Sequence, residues 1–160
     1  MKIGKFRVLI IFVFVLIISC NKNDDDCINC GTFDAELPLL FVKIMATSGT
    51  NLIENGTIDP TNINVEGDFS TASFQFIPAN ELGDISDFDN SLALSIPNES
   101  TFQYTINLDG FESIVLDFTA EFTKIPCDIT FFKPIGVNFN TDELELMEIP
   151  PQQFLVTIEL

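Results

Sequence analysis

The chain has 160 residues, 7 basic against 24 acidic side chains, a formal charge of −17, 17 Phe, four Cys, no His and no Trp. That length suits one domain, and hydrophobic content of 46% argues against disorder. The acidity excludes a nucleic-acid binder, whose phosphate ligand demands a basic face, and the lack of His excludes Ser-His-Asp and Cys-His catalysis and any His-ligated metal.

Lys2, Lys5 and Arg7 open the chain, and residues 8–18 form an unbroken apolar run. Spanning a bilayer takes roughly twenty apolar residues, so this shorter run fits the core of a secretory signal better than an anchor helix. A basic start, a short apolar core and a small residue before the cut are the parts of such a signal, and Ser19-Cys20 follows the run.

Ile17-Ile18-Ser19-Cys20 resembles a bacterial lipobox, in which a signal peptidase cuts before Cys and the Cys is acylated. The common pattern favours Leu at the place of Ile17 and Ala or Ser at the place of Ile18. Asn21-Lys22-Asn23-Asp24-Asp25-Asp26 is similar to the Lys-then-acidic export stretch of Bacteroidota surface lipoproteins. That resemblance covers about a sixth of the chain. It implies a protein in the outer membrane, lipid-anchored through Cys20 and facing the exterior. The expected organisation is a signal peptide over 1–19, a lipidated acidic tether over 20–36 and a β domain over 37–160.

The physics of such an anchor is independent of the resemblance. One acyl chain binds a membrane marginally, and stable anchoring takes two signals. After a cut before Cys20 the chain keeps Lys22, Lys43, Lys124 and Lys133 against all 24 acids (4 − 24 = −20). That charge disfavours close approach of the body to anionic lipid.

Cys27, Cys30 and Cys127 remain, and export would place them where disulfides form. Cys27-Ile28-Asn29-Cys30 has the spacing of a redox or zinc half-site. No second pair completes a zinc site, and no thioredoxin-type surroundings are present. A structural disulfide from Cys27 or Cys30 to Cys127 is the plainer reading, Cys30 with Cys127 being preferred. Cys27 with Cys30 is the alternative. Closing a loop near 100 residues is worth up to about 4–5 kcal/mol in the chain-entropy picture.

From residue 39 the pattern reads as strands. Residues 39–46 are apolar on both faces apart from Lys43, which predicts a strand covered on both sides. Period-two alternation follows at Ile63 and Val65, at Phe74 and Phe76, at Leu92, Leu94 and Ile96, and from Phe102 to Leu108. It continues from Ile114 to Phe122 and closes with Phe154, Val156, Ile158 and Leu160. Gly, Asn and Pro clusters separate these runs. Glu81 to Phe88 could hold one helical turn, and Thr141-Asp142-Glu143 could cap a helix, although Leu144 and Leu146 suit a strand equally. Seven to nine short strands in about 125 residues predict an all-β, antiparallel two-sheet sandwich, immunoglobulin-like in the broad sense.

Asp109-Gly110 invites a two-residue hairpin. That turn would set Ile106 against Ser113 and Phe102 against Asp117, mixing faces. One more residue pairs Ile106 with Ile114, Tyr104 with Leu116 and Phe102 with Phe118, so a three-residue or bulged loop, or a crossing between sheets, is expected.

Candidate chemistry is thin. Asp84, Asp87, Asp89 and Asn90 could supply oxygens to calcium from one loop, without the Gly and closing Glu of an EF-hand. Asp24 to Asp26 are a weaker group of the same kind. No Ser-x-x-Lys or Gly-x-Ser-x-Gly occurs, and no carboxylate pair is marked for glycoside hydrolysis. Tyr104, the only Tyr, falls at an inward position, so a glycan platform would rest on Phe69, Phe88 and Phe111 in turn-rich stretches. Those rings also suit folding over the sandwich ends. The expectation is a non-catalytic binding or structural lipoprotein of the envelope, with a protein or glycan partner and no cofactor. A calcium- or glycan-binding adhesion module is the alternative, and a carboxylate hydrolase the second alternative.

Overall fold

β-branched and aromatic residues at every second position form ten strands in the computed structural model, which describes residues 38–82 and 86–160. They are β1 (Leu39–Met45), β2 (Asn64–Gly67), β3 (Phe74–Ile77), β4 (Ser91–Ser95), β5 (Thr101–Asn107), β6 (Ile114–Ile125), β7 (Ile129–Phe139), β8 (Asp142–Leu144), β9 (Leu146–Ile149) and β10 (Gln153–Glu159). Among the described residues the only helical pieces are 3-10 turns at Pro60–Asn62, Ser86–Phe88 and Pro126–Asp128. One sheet has the order β3-β4-β1-β10-β9 and the other β2-β5-β6-β7-β8. The expected all-β, two-sheet sandwich is therefore the fold. All pairings are antiparallel except β1 with β10, which run parallel from Leu39 beside Gln153 to Met45 beside Glu159.

The core lies between the sheets. Leu40, Val42 and Ile44 of β1 and Phe154, Val156 and Ile158 of β10 meet Phe102, Tyr104, Ile106, Ile114, Leu116 and Phe118 of the facing sheet. Each such side chain contributes about 1.5–3 kcal/mol by leaving water. Phe102 and Phe118 stack at 4.9 Å. Tyr104 is fully buried, yet its hydroxyl is satisfied across the sandwich. It donates to the Ser95 carbonyl at 2.7 Å and lies 3.0 Å from Ser95 Oγ, joining β5 to β4.

The β5–β6 register is the one that the apolar faces demand: Ile106 with Ile114, Tyr104 with Leu116 and Phe102 with Phe118. The connection is longer than Asp109-Gly110 alone. Gly110 takes φ +80° and the Phe111 N–H donates to the Leu108 carbonyl.

Two features depart from the expected strand set. β7 is absent from it, because Pro134 and Gly136 break its pattern. The strand accommodates both at a bulge: the register slips between Thr119 and Ala120, Pro134 faces Ala120, and Gly136 faces Thr119. β8 pairs only with Val137, Asn138 and Phe139, so Pro134 lies on a free edge where its missing N–H is harmless. The Leu144–Leu146 stretch is two strands rather than one. β8 belongs to one sheet and β9 to the other, with Glu145 between them, and residues 142–144 are strand rather than helix. The turn from β9 to β10 holds a cis Pro150–Pro151 bond.

The proposed signal and tether, 1–19 and 20–36, lie outside the described residues.

Candidate functional site

Three surfaces of this sandwich hold the residues singled out by their chemistry: the outer face of the β1 sheet, the acidic loop before β4 and the β6–β7 hairpin.

On the outer face, Phe41 of β1 points away from the main core but is only 2% exposed. The segment between β3 and β4 folds over it. Phe88, in the turn Ser86–Phe88, stacks on Phe41 with ring centroids 3.9 Å apart. Ile77, Ala93 and Leu155 complete this second small core. Beside it a shallow groove of about 390 Å³ is lined by Leu39, Phe41, Phe74, Ile77, Leu82 and Ala93 among others. Its walls are mixed, since Ser73, Gln75, Glu81 and Ser95 also line it.

The calcium candidates share that covering loop. Asp84 lies outside the described residues. Asp89 and Asn90 are engaged in closing the loop. Asp89 Oδ1 accepts the Asn80 N–H at 2.9 Å. Asn90 takes φ +54°, and its carbonyl accepts from Asn51 Nδ2 at 3.1 Å. Asp87 sits in the 3-10 turn. Among the described residues no three His, Cys, Asp or Glu gather as a metal would need. Asn51 is the residue that sequence reasoning missed. It is 6% exposed, and its Oδ1 accepts the N–H groups of Ile53 and Glu54 at 2.9 and 3.1 Å while Nδ2 braces the Asn90 turn. Its place at the end of a Ser-Gly-Thr-Asn turn cluster was its only signal.

The loop aromatics divide. Phe69 packs edge-on to Tyr104 at 5.3 Å and to Phe102 at 6.0 Å, closing one edge of the core. Phe88 is buried against Phe41. Phe111 is 38% exposed in the β5–β6 turn. A planar platform of these three rings is not formed.

The β6–β7 hairpin carries the most exposed large apolar side chains among the described residues, Phe122 at 63% and Ile135 at 55%. Phe122 meets Phe132 edge-on at 5.8 Å. At its tip Cys127 and Asp128 take φ +67° and +59°. Cys127 is not without a partner at that tip. Lys124 holds Asp128 in an ion pair, and Lys133 reaches Glu148 of β9 at 2.6 Å.

Two exposed carboxylates are held below their usual range. Hydrogen bonds from the Thr61 hydroxyl and N–H lower the Asp59 carboxyl, and the Lys124 ammonium lowers Asp128. A general acid needs the opposite direction. Among the described residues no helix is long and apolar enough to cross a membrane. Compared with known proteins, the chain matches no family model, no curated protein and no solved structure.

Proposed function

We propose that this chain is an exported lipoprotein, cut before Cys20 and acylated there, whose acidic β-sandwich is a non-catalytic binding or structural module at the cell surface. The observation that carries the reading is the order of residues 2–26: three cations, an eleven-residue apolar run, Ser19-Cys20, then Lys22 and three consecutive Asp. The Lys22–Asp26 stretch supports export to the outer membrane with the domain facing outwards. The membrane is then the first partner, reached through the lipid, and an envelope protein or glycan the second.

The same reading includes a structural disulfide from Cys127 to Cys30, supported by the engaged state of Cys127 at the hairpin tip and by the oxidising compartment. It would close a loop of about 100 residues across the domain.

Metabolic labelling with a tagged fatty acid tests the anchor. The wild-type chain is expected to take up label and run at the size of the mature form, whereas Cys20→Ser takes up none and accumulates at precursor size. Equal labelling of the two, or an unchanged mature size, would overturn it.

A further inference from the structure

Resting on the lipid anchor proposed above, we infer that the projecting half of the β6–β7 hairpin is a bilayer-contacting element, with Phe122 seated in the lipid interface beside the anchor.

Three observations converge. β5 pairs with β6 only as far as Thr119, and β8 with β7 only from Val137. Among the described residues, 121–133 thus have only each other as ladder partners and extend past their neighbours in the sheet, with Phe132 still partly buried against the main core. This projection holds Phe122, the most exposed large apolar side chain among the described residues, with Phe132 beside it. Phe122 lies four residues before the Pro126–Asp128 turn, and an exposed aromatic ring on such a projection has apolar surface to bury at a lipid interface.

The second observation is where the tether enters. Pro38 and Leu39, at the start of β1, line one cavity with Thr130, Phe131 and Phe132. The chain arriving from Cys20 therefore joins the sandwich at the hairpin's end. Phe111 lies at the other end of β6, in the β5–β6 turn. The proposed Cys30–Cys127 bond would add a second link at the tip, ten residues from the acylated Cys and so within about 35 Å of it.

The third is charge. Residues 121–133 hold Glu121 and Asp128 against Lys124 and Lys133. The projection is balanced, whereas the chain after the cut stands at −20 (4 − 24). A body so acidic is held off a lipid surface, and a balanced apolar tip is the part that meets it at least electrostatic cost. The stem of Lys124, half exposed, can lie along the apolar surface with its ammonium in water.

The absence of Trp makes the test clean. Acylated full-length protein carrying Phe122→Trp, or Phe111→Trp as the far-end control, is reconstituted on phosphatidylcholine vesicles with brominated acyl chains. The Phe122→Trp form is expected to emit at shorter wavelength and to be quenched by the brominated lipid several-fold more than the control. Equal quenching of both forms, or stronger quenching of the control, overturns the inference while leaving the anchor intact, because the protein still floats with the vesicles. A blue shift that follows protein density rather than brominated lipid means that a second copy occupies the hairpin, and also overturns it. Failure of either form to float overturns the anchor itself.

Discussion

Two residues show how tightly local geometry binds sequence to packing. A Cβ at Gly67 would stand 2.6 Å from Ala72 Cβ and 3.0 Å from Phe69 Cε1. Phe69 cannot retreat without losing its edge contacts to Phe102 and Tyr104. Gly67→Ala is therefore expected to destabilise the domain by about 1–3 kcal/mol, the usual cost of overpacking, read as a lower denaturant midpoint with unchanged slope. A midpoint equal to wild type would contradict the crowding of Gly67 against Ala72 and Phe69. Tyr104 offers a second test, since it is the only Tyr and no Trp obscures it. Burial raises its pKa, and the Ser95 hydrogen bond offsets this only in part. The raised value favours the folded state below the ordinary tyrosine pKa of about 10. That contribution is lost as pH rises through the folded-state value, because the unfolded chain releases the proton first. Phenolate absorbance in the folded protein is expected to rise only above the pH at which free tyrosine titrates, in step with loss of structure. Ionisation at the free-tyrosine value in a still-folded protein would contradict the burial.

At the scale of elements, the covering segment before β4 is what allows β1 to be apolar on both faces. Phe88 shields Phe41 from water on the outside while the opposite sheet shields Leu40, Val42 and Ile44. Phe88→Ala should cost about 3–5 kcal/mol, the range for deleting a buried ring, and should expose Phe41 enough to increase binding of a hydrophobic dye. Retained stability and unchanged dye binding would show that the segment does not hold the sheet. The burial of β1 on both faces around Phe41 was legible in a run apolar apart from Lys43, although Leu39 is exposed, and the β5–β6 register in the demand that Ile106, Tyr104 and Phe102 share a face with their partners. The element that does the covering was not legible. Phe88 stands among Asp87, Asp89 and Asn90, where no periodicity marks it as core. β7 was hidden for a related reason: Pro134 and Gly136 fit only because a bulge and a free edge receive them. In the same acidic loop, composition does not reveal that Asp89 and Asn90 have backbone and side-chain partners within the fold.

For the whole molecule, alternation assigns each residue to a face but says nothing about which strand lies beside which. The parallel pairing of β1 with β10 unites the first and last strands of the domain, and no local signal could announce it. The surface is also divided in a way that composition conceals. Acidic charge is spread over the chain, yet the hairpin end combines balanced charge, exposed Phe122 and the entry of the tether. That division, together with the residues around Cys20, is what the proposed lipid-held, oriented domain rests on.

The most direct measurement is the intact mass of the protein extracted by detergent from the bacterial envelope. The account predicts a chain that begins at Cys20 and is heavier than its sequence by a lipid substituent, with Cys127 in a disulfide. An unmodified chain beginning at Met1, or one cut elsewhere and free of lipid, would contradict it.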